Sequence, residues 1–213
     1  MDKPVAADAA AEARPYHHGD LRRALILAAD RILERDGPQG LSLRAVAREA
    51  GVSPAAPYHH FKDKSDLLRA IAEAGFEALS DAVRTALAAE AEHKMITIGA
   101  AYVKFARENP ALYRVMYDHA RDSSTIPEQG HGGGLRLLEQ AMIQAGADPS
   151  DDVSLKLWCI AAWCSAHGVA EMVGFAQFQP LIEAMGGEDF FIKALISRIC
   201  RSPDDRSWSQ DRL

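Results

Sequence analysis

The sequence predicts an all-α fold, and three observations predict it. Apolar residues recur at intervals of three and four through nearly the whole 213-residue chain. No segment alternates apolar and polar in the two-residue rhythm of a half-buried strand. The breaks between apolar stretches are helix caps and stops, and no internal repeat stands out.

Leu21, Leu25, Ala28 and Ile32 share a helical face, with Asp20 as candidate N-cap and Gly37-Pro38 as stop, which predicts a first helix over 21–36. Ser42 caps a second helix that turns Leu43, Val46, Ala47 and Ala50 inward and ends at Gly51. Ser53 as cap and Pro54 at the first helical position predict a third short helix to about Phe61. Pro57 removes one of its early backbone bonds. Asp63, with Asp66 three residues on, caps a long helix whose Leu68, Ile71, Gly75, Leu79, Ala82 and Ala86 face inward to about residue 90. Further helices are expected at about 93–108, 110–119, 134–146, 149–174 and 188–201. Asn109-Pro110 and Asp148-Pro149 are start signals, Gly146 is a stop, and 121–134 reads as loop.

Composition narrows the function classes. With 48% hydrophobic residues the chain can bury a sizeable core, and its 25% charged residues are ordinary for a soluble protein. There is no uninterrupted apolar run of 18 residues and no apolar stretch of secretory type near the start, so neither a membrane span nor a signal peptide is expected. Cys159, Cys164 and Cys200 form no C-x-x-C pair and no even framework; they read as free thiols in a reducing, cytoplasmic compartment, filling space as small hydrophobes. The pairs His17-His18 and His59-His60 do not suit a metal, because adjacent residues on a helix point apart and no cysteine or carboxylate completes a set. No cofactor is implied. His131-Gly132-Gly133-Gly134 is similar to the oxyanion loop of some esterases, but no G-x-S-x-G elbow accompanies it and no strand exists to carry one, so no catalytic residue is expected.

The net charge of −6 is unevenly spread. Residues 14–64 hold nine Arg or Lys against six Asp or Glu, a net of +3, whereas residues 65–213 carry −7 and residues 1–13 carry −2. A basic N-terminal module on an acidic body is an asymmetry that points to nucleic acid. Two short helices joined through Ala50-Gly51-Val52-Ser53, with a first helix behind them, fit a helix-turn-helix able to lay its last helix in a major groove, although two short helices around a glycine also occur in many other helical proteins.

The residues of this module carry a resemblance. Tyr16-His17-His18-Gly19-Asp20-Leu21-Arg22, Gly40-Leu41-Ser42-Leu43-Arg44 and Val46-Ala47-Arg48-Glu49-Ala50-Gly51-Val52-Ser53 are followed by Tyr58-His59-His60-Phe61, Lys62-Asp63-Lys64 and Leu67-Leu68. This stretch resembles, without a gap, the DNA-binding domain of the TetR family of transcriptional regulators. The resemblance implies a DNA-binding domain at 16–66 and an effector-binding and dimerisation domain at 67–201; by composition 1–15 reads as a leader, expected to be disordered, and 202–213 as a polar tail. It implies a homodimer that binds a double-stranded DNA operator and is released by a small, largely apolar molecule. Ser42 and Arg44 resemble family positions at phosphate and base edge. Ser53, Pro54, Ala55 and Ala56 lie at the start of the recognition helix, where the alanines offer only apolar contact, for instance to a thymine methyl. Tyr58 and His59 resemble a phosphate-contacting aromatic and its neighbour, with helix packing as the alternative for Tyr58. Lys64 is expected to clamp a phosphate, and Arg14 to reach a minor groove.

Beyond residue 90 the sequence says less. Phe105-Ala106, Pro110 to Met116, and Trp163 followed by His167-Gly168 resemble the family branch whose C-terminal domain carries a Trp…His-Gly signature. Trp163 and His167 stand one helical turn apart on one face. Tyr102, Phe105, Met116, Met142, Trp158, Trp163 and His167 are candidates to line an effector pocket, with an ordinary helical core as the other reading and a structural role for His167 as its own alternative. Dimer contacts are expected on 149–174 and 188–201, the latter through Phe190, Phe191, Leu195 and Ile199. A TetR-like fold that binds DNA without controlling a promoter, or acts through protein partners, is the competing function.

Overall fold

The computed structural model describes residues 18–89, 93–122, 134–144 and 146–199, and among these all regular structure is helical. The expectations placed on Arg14, Tyr16, His17, the leader, the glycine run at 131–133, Cys200 and the tail lie outside the described residues.

The first helix, α1, spans His18–Gly40, starting two residues before Asp20, which is therefore not its cap. Its regular part ends at Gly37, whose φ of 67° is open to glycine and costly for any residue with a Cβ. α2 (Leu43–Glu49) is capped by Ser42, whose Oγ accepts from the Ala45 amide at 3.1 Å. It closes on a Schellman turn: Gly51, at φ 70°, donates to the Arg48 carbonyl, and Val52 donates to that of Ala47.

The third helix differs from its expectation. Only a 3₁₀ turn forms, at Ala56–His59, with Ala55 before it and no side-chain cap, so Ser53 does not cap it and Pro54 sits in the preceding turn. The cause is Pro57, which has no amide to donate back and thereby holds the segment to i→i−3 bonds from Ala56 to Ser53 and from Tyr58 to Ala55.

α3 (Lys64–Ala89) begins as the sequence predicts, the Asp66 amide donating to Asp63 Oδ1 at 2.9 Å while the Asp66 carboxylate accepts from the Lys62 amide. That amide and Arg69 hold the Asp66 carboxyl below the usual carboxylate range. There follow α4 (Lys94–Glu108), α5 (Pro110–Asp122), α6 (Gly134–Gln144) and α7 (Asp152–Met172). Asp151 rather than the Pro149 region starts α7, accepting from the Ser154 amide. A short 3₁₀ turn at Ala176–Phe178 leads into α8 (Gln179–Ala184), which the sequence pattern does not reveal, and α9 (Glu188–Ile199) ends the described chain.

Two cores form. Leu25, Ala28, Ile32, Leu41, Val46, Phe61 and Leu67 pack the helix-turn-helix, with Val115 of α5 joining them. Phe76, Val83, Ile98, Val103, Met116, Leu155 and Ile196 belong to the larger core of the body. α3 and α5 serve both. α3 gives Leu67, Ala70 and Ile71 to the first core and Phe76, Leu79 and Val83 to the second, while α5 gives Val115 to the first and Tyr113 and Met116 to the second. The two helices meet closely at Gly75, where a Cβ would lie 2.7 Å from Met116 Cγ.

α7 is long and apolar enough, by length and composition, to cross a membrane, and it alone is so among the described helices. At a mean hydropathy of 1.2 this one helix is only weakly apolar and is not a clear membrane span.

Candidate DNA-binding face and effector cavity

The helix-turn-helix is braced before it is functional. Arg31 and Arg35 of α1 both reach Glu49 at the end of α2, at 3.1 and 3.2 Å, and the hydrogen bond from Arg31 is the main reason the Glu49 carboxyl sits below its ordinary range. Arg22 lies over the Phe61 ring at 5.5 Å from its centroid. These cations are occupied in holding helices together. The remaining ones are differently placed: among the described residues Arg44, Arg48 and Lys62 are exposed and have no acidic side chain within ion-pair distance.

The candidate contact residues are exposed as a set. Ser42, Arg44, Ser53, Pro54, Ala55, Tyr58, His59 and Lys64 face solvent, and Ala56 is half-buried. Tyr58 is 54% exposed, so it does not serve as a packing residue within the chain, whereas Phe61 is 1% exposed and belongs to the core. The Lys64 ammonium donates to the Pro38 carbonyl at 2.9 Å, which ties the start of α3 to the corner after α1 and leaves two ammonium protons for another acceptor.

The body contains an apolar cavity of about 90 Å³ between α3, α4, α5, α6, α7 and α9, whose walls include Phe76, Leu79, Val83, Ile98, Leu138 and Ile196. Of the pocket residues expected from sequence, Tyr102 and Trp163 line it. Phe105, Met116 and Met142 are buried in the core without lining the cavity, and Trp158 is 50% exposed on the outer side of α7. The period of an apolar helix says which residues share a face, but α7 has two apolar faces, and only packing decides which one turns inward.

His167 lies behind this cavity, in a separate polar cleft of about 500 Å³ lined also by Arg107, Tyr113, Arg114, Asp118 and Glu171. Between the two runs an aromatic wall. The Tyr102 hydroxyl is 2.9 Å from that of Tyr113 and 2.6 Å from that of Tyr117. His167 Nδ1 stands 2.5 Å from the Tyr113 hydroxyl, and Trp163 Nε1 donates to Tyr117 at 3.1 Å and to Tyr102 at 3.3 Å. Burial pushes all three phenols well above their ordinary range, so they remain neutral donors and acceptors. Sequence reading missed Tyr113 and Tyr117; their spacing of four on α5, facing Tyr102, was the available signal.

Among the described residues no group of three or more His, Cys, Asp or Glu side chains is placed to hold a metal ion. Cys159 is buried as expected of a small hydrophobe, but Cys164 is exposed.

Two family models match the chain. Residues 25–71 match the N-terminal domain of the bacterial regulatory proteins of the tetR family, and residues 95–195 match the tetracyclin repressor-like C-terminal domain. The chain belongs to the TetR family. Its N-terminal match is to the domain that carries the helix-turn-helix of these bacterial regulatory proteins. The C-terminal match is to the repressor-like domain in general and carries no assignment to the Trp…His-Gly branch. Among curated relatives the chain is similar to the HTH-type transcriptional regulator BetI of Brucella suis, 33% identical over 110 residues, which are 49% of this chain and 56% of that protein. The chain thus spans about half the length of the curated relatives it matches. Among solved structures, a protein of unknown function from Rhodococcus sp. RHA1 is 31% identical, with a TM-score of 0.67 over 88% of this chain and 97% of that one. The multidrug binding protein EbrR, solved with imidazole, shares the TetR fold at 18% identity and a TM-score of 0.55, covering 87% of this chain and 92% of its own.

Proposed function

We propose that this TetR-family protein is a cytoplasmic, dimeric repressor that binds a palindromic operator and is released by a small, largely apolar effector held in the body cavity. The observation that carries this reading is that α3 and α5 each contribute side chains to both cores. A ligand that moves the cavity wall therefore moves helices on which the helix-turn-helix is packed. Effector and operator then oppose each other by linkage: whatever the effector takes from operator affinity, the operator takes from effector affinity.

One module binds weakly, and a two-fold dimer supplies two in register. α7 supports such a dimer. Val153, Leu157, Ile160 and Cys164 form an exposed stripe at helical spacing on it, with Val153 at 68% and Leu157 at 62% exposure. The expected contribution of α9 is smaller than its composition suggests, because Phe191 and Leu195 pack into the chain's own core and only Phe190 and Ile199 are left outside.

At the DNA, Ser42, Arg44, Tyr58, His59 and Lys64 are assigned to phosphate and base edge, and the Ser53-Pro54-Ala55-Ala56 turn to close apolar approach. Arg44→Ala is expected to cost about 1–3 kcal/mol and relax preference at one position per half-site if Arg44 reads a base; equal loss on every sequence reduces it to a phosphate contact. Lys64→Ala is expected to weaken binding about uniformly and lower the salt slope by roughly one unit; an unchanged slope removes Lys64 from the phosphate contacts. It also removes the tie to Pro38, so a thermal melt accompanies the measurement.

The overall reading is tested by fluorescence anisotropy on DNA from upstream of the coding sequence against scrambled DNA, at two salt concentrations. A preference of about a thousandfold or more is expected of a specific regulator. Equal, steeply salt-dependent binding to both overturns it for that DNA and favours the competing reading, in which the two alanines and the short recognition turn carry no base readout.

A further inference from the structure

We propose that the cavity takes an uncharged, largely apolar molecule carrying a hydrogen-bond acceptor, and that the hydroxyl of Tyr117 is the donor that reads that acceptor. The inference rests on the effector reading of the cavity and specifies its chemistry.

Among the described residues no acidic or basic side chain lines the cavity, so a charged ligand would be desolvated there without a counter-charge. Few polar atoms remain to recognise anything. The hydroxyls of Ser80 and Ser165 donate to the carbonyls of their own helices, those of Phe76 and Ala161, at 2.9 and 2.8 Å. What is left is the aromatic wall, where Tyr117 and Trp163 both reach the cavity surface.

The hydrogen bonds of that wall can be ordered. Trp163 Nε1 only donates, so the Tyr117 and Tyr102 oxygens accept from it. With the His167 hydrogen on Nε2, its Nδ1 accepts, and one hydrogen per phenol then runs from Tyr113 to His167 Nδ1, from Tyr102 to Tyr113 and from Tyr117 to Tyr102. In this order Tyr117, at the head of the chain, can be redirected at little cost. When its hydrogen turns from Tyr102 toward the cavity, the Tyr102 oxygen still receives the Trp163 N–H at 3.3 Å, and no buried group loses its last partner. Turning Tyr102 instead gives up its 2.9 Å bond to Tyr113, and turning Tyr113 leaves His167 Nδ1 only the longer 3.2 Å contact with Tyr102. An acceptor on the ligand therefore finds a ready donor in Tyr117, with Trp163 as a shared second.

The test is isothermal titration of the full-length protein with acetophenone and with α-methylstyrene, two molecules of nearly the same shape that differ by a carbonyl oxygen against a methylene. Tyr117→Phe is expected to weaken acetophenone about tenfold, the scale of one buried hydrogen bond, and to leave α-methylstyrene within about twofold. Tyr102→Phe, which removes the resting acceptor of Tyr117, is expected to tighten acetophenone a few-fold relative to α-methylstyrene. Parallel changes for both compounds in Tyr117→Phe, or a selective loss of acetophenone in Tyr102→Phe, overturn the assignment of Tyr117 while leaving the apolar cavity as an effector site. Failure of both compounds to bind the wild-type protein overturns the cavity reading itself, and this inference with it.

Discussion

Replacing Leu157 and Ile160 together by glutamate is expected to turn the proposed dimer into a folded monomer and to lower operator affinity at least about a hundredfold. Both side chains lie on the outer face of α7, so in an isolated chain the two carboxylates remain in water and disturb little. Across a two-fold contact the same four carboxylates would be brought together and desolvated, a cost several times the worth of the apolar area they replace. The loss on DNA follows because two linked modules gain an effective concentration that a single module lacks. Sedimentation velocity with anisotropy on one operator measures both effects, and far-UV circular dichroism establishes that the helices persist. A variant that stays dimeric with unchanged operator affinity would place the interface elsewhere and leave the exposed stripe of α7 without this role.

Phe61→Ala is expected to cost about 3–5 kcal/mol, the usual range for removing a buried aromatic ring, against a total of about 5–15 kcal/mol for a typical domain. Phe61 is almost fully buried among the side chains of α1, α2 and the start of α3, immediately after the recognition turn. Its ring also carries the Arg22 guanidinium. Emptying this position removes the surface against which the recognition turn is set, so operator binding falls further than the stability change alone would give. Urea denaturation followed by circular dichroism measures the cost. A loss below about 1 kcal/mol would mean that Phe61 is not the packing centre of the module. Phe61→Leu, which keeps most of the volume, is expected to retain operator binding in large part.

The N-terminal module was legible because its signals are local. Ser42, Gly51 and Asp63 each fix a cap or a turn within four residues of themselves, and all three act in the structure as their neighbours imply. The recognition segment shows the same logic working against the expectation. Ser53-Pro54 is a sound helix start in isolation, but Pro57, three residues on, withholds the amide that would continue an α-helical turn. That correction too is local and lay within the sequence.

The body was less legible because its decisive facts are contacts between distant residues. Trp158 and Trp163 are both apolar-helix residues of α7, five positions apart; one is exposed and the other lines the cavity. Hydrophobicity alone does not separate them, because the exposed stripe of α7 is apolar as well. The tyrosine wall is assembled from α4, α5 and α7, across sequence separations of up to 65 residues. No pattern within one helix announces it.

By itself the sequence determined the all-helical class, the cap and turn signals at Ser42, Gly51 and Asp63, the charge division between module and body, and the resemblance that places the helix-turn-helix. All of these depend on neighbours along the chain or on composition. Tertiary structure alone decided that α3 and α5 belong to two cores, that His167 faces a polar cleft and not the apolar cavity, and that α7 leaves an apolar stripe outside. The physical reason is that burial is settled by which helices pack together. Periodicity defines a face, and only a neighbouring helix defines whether that face is inside.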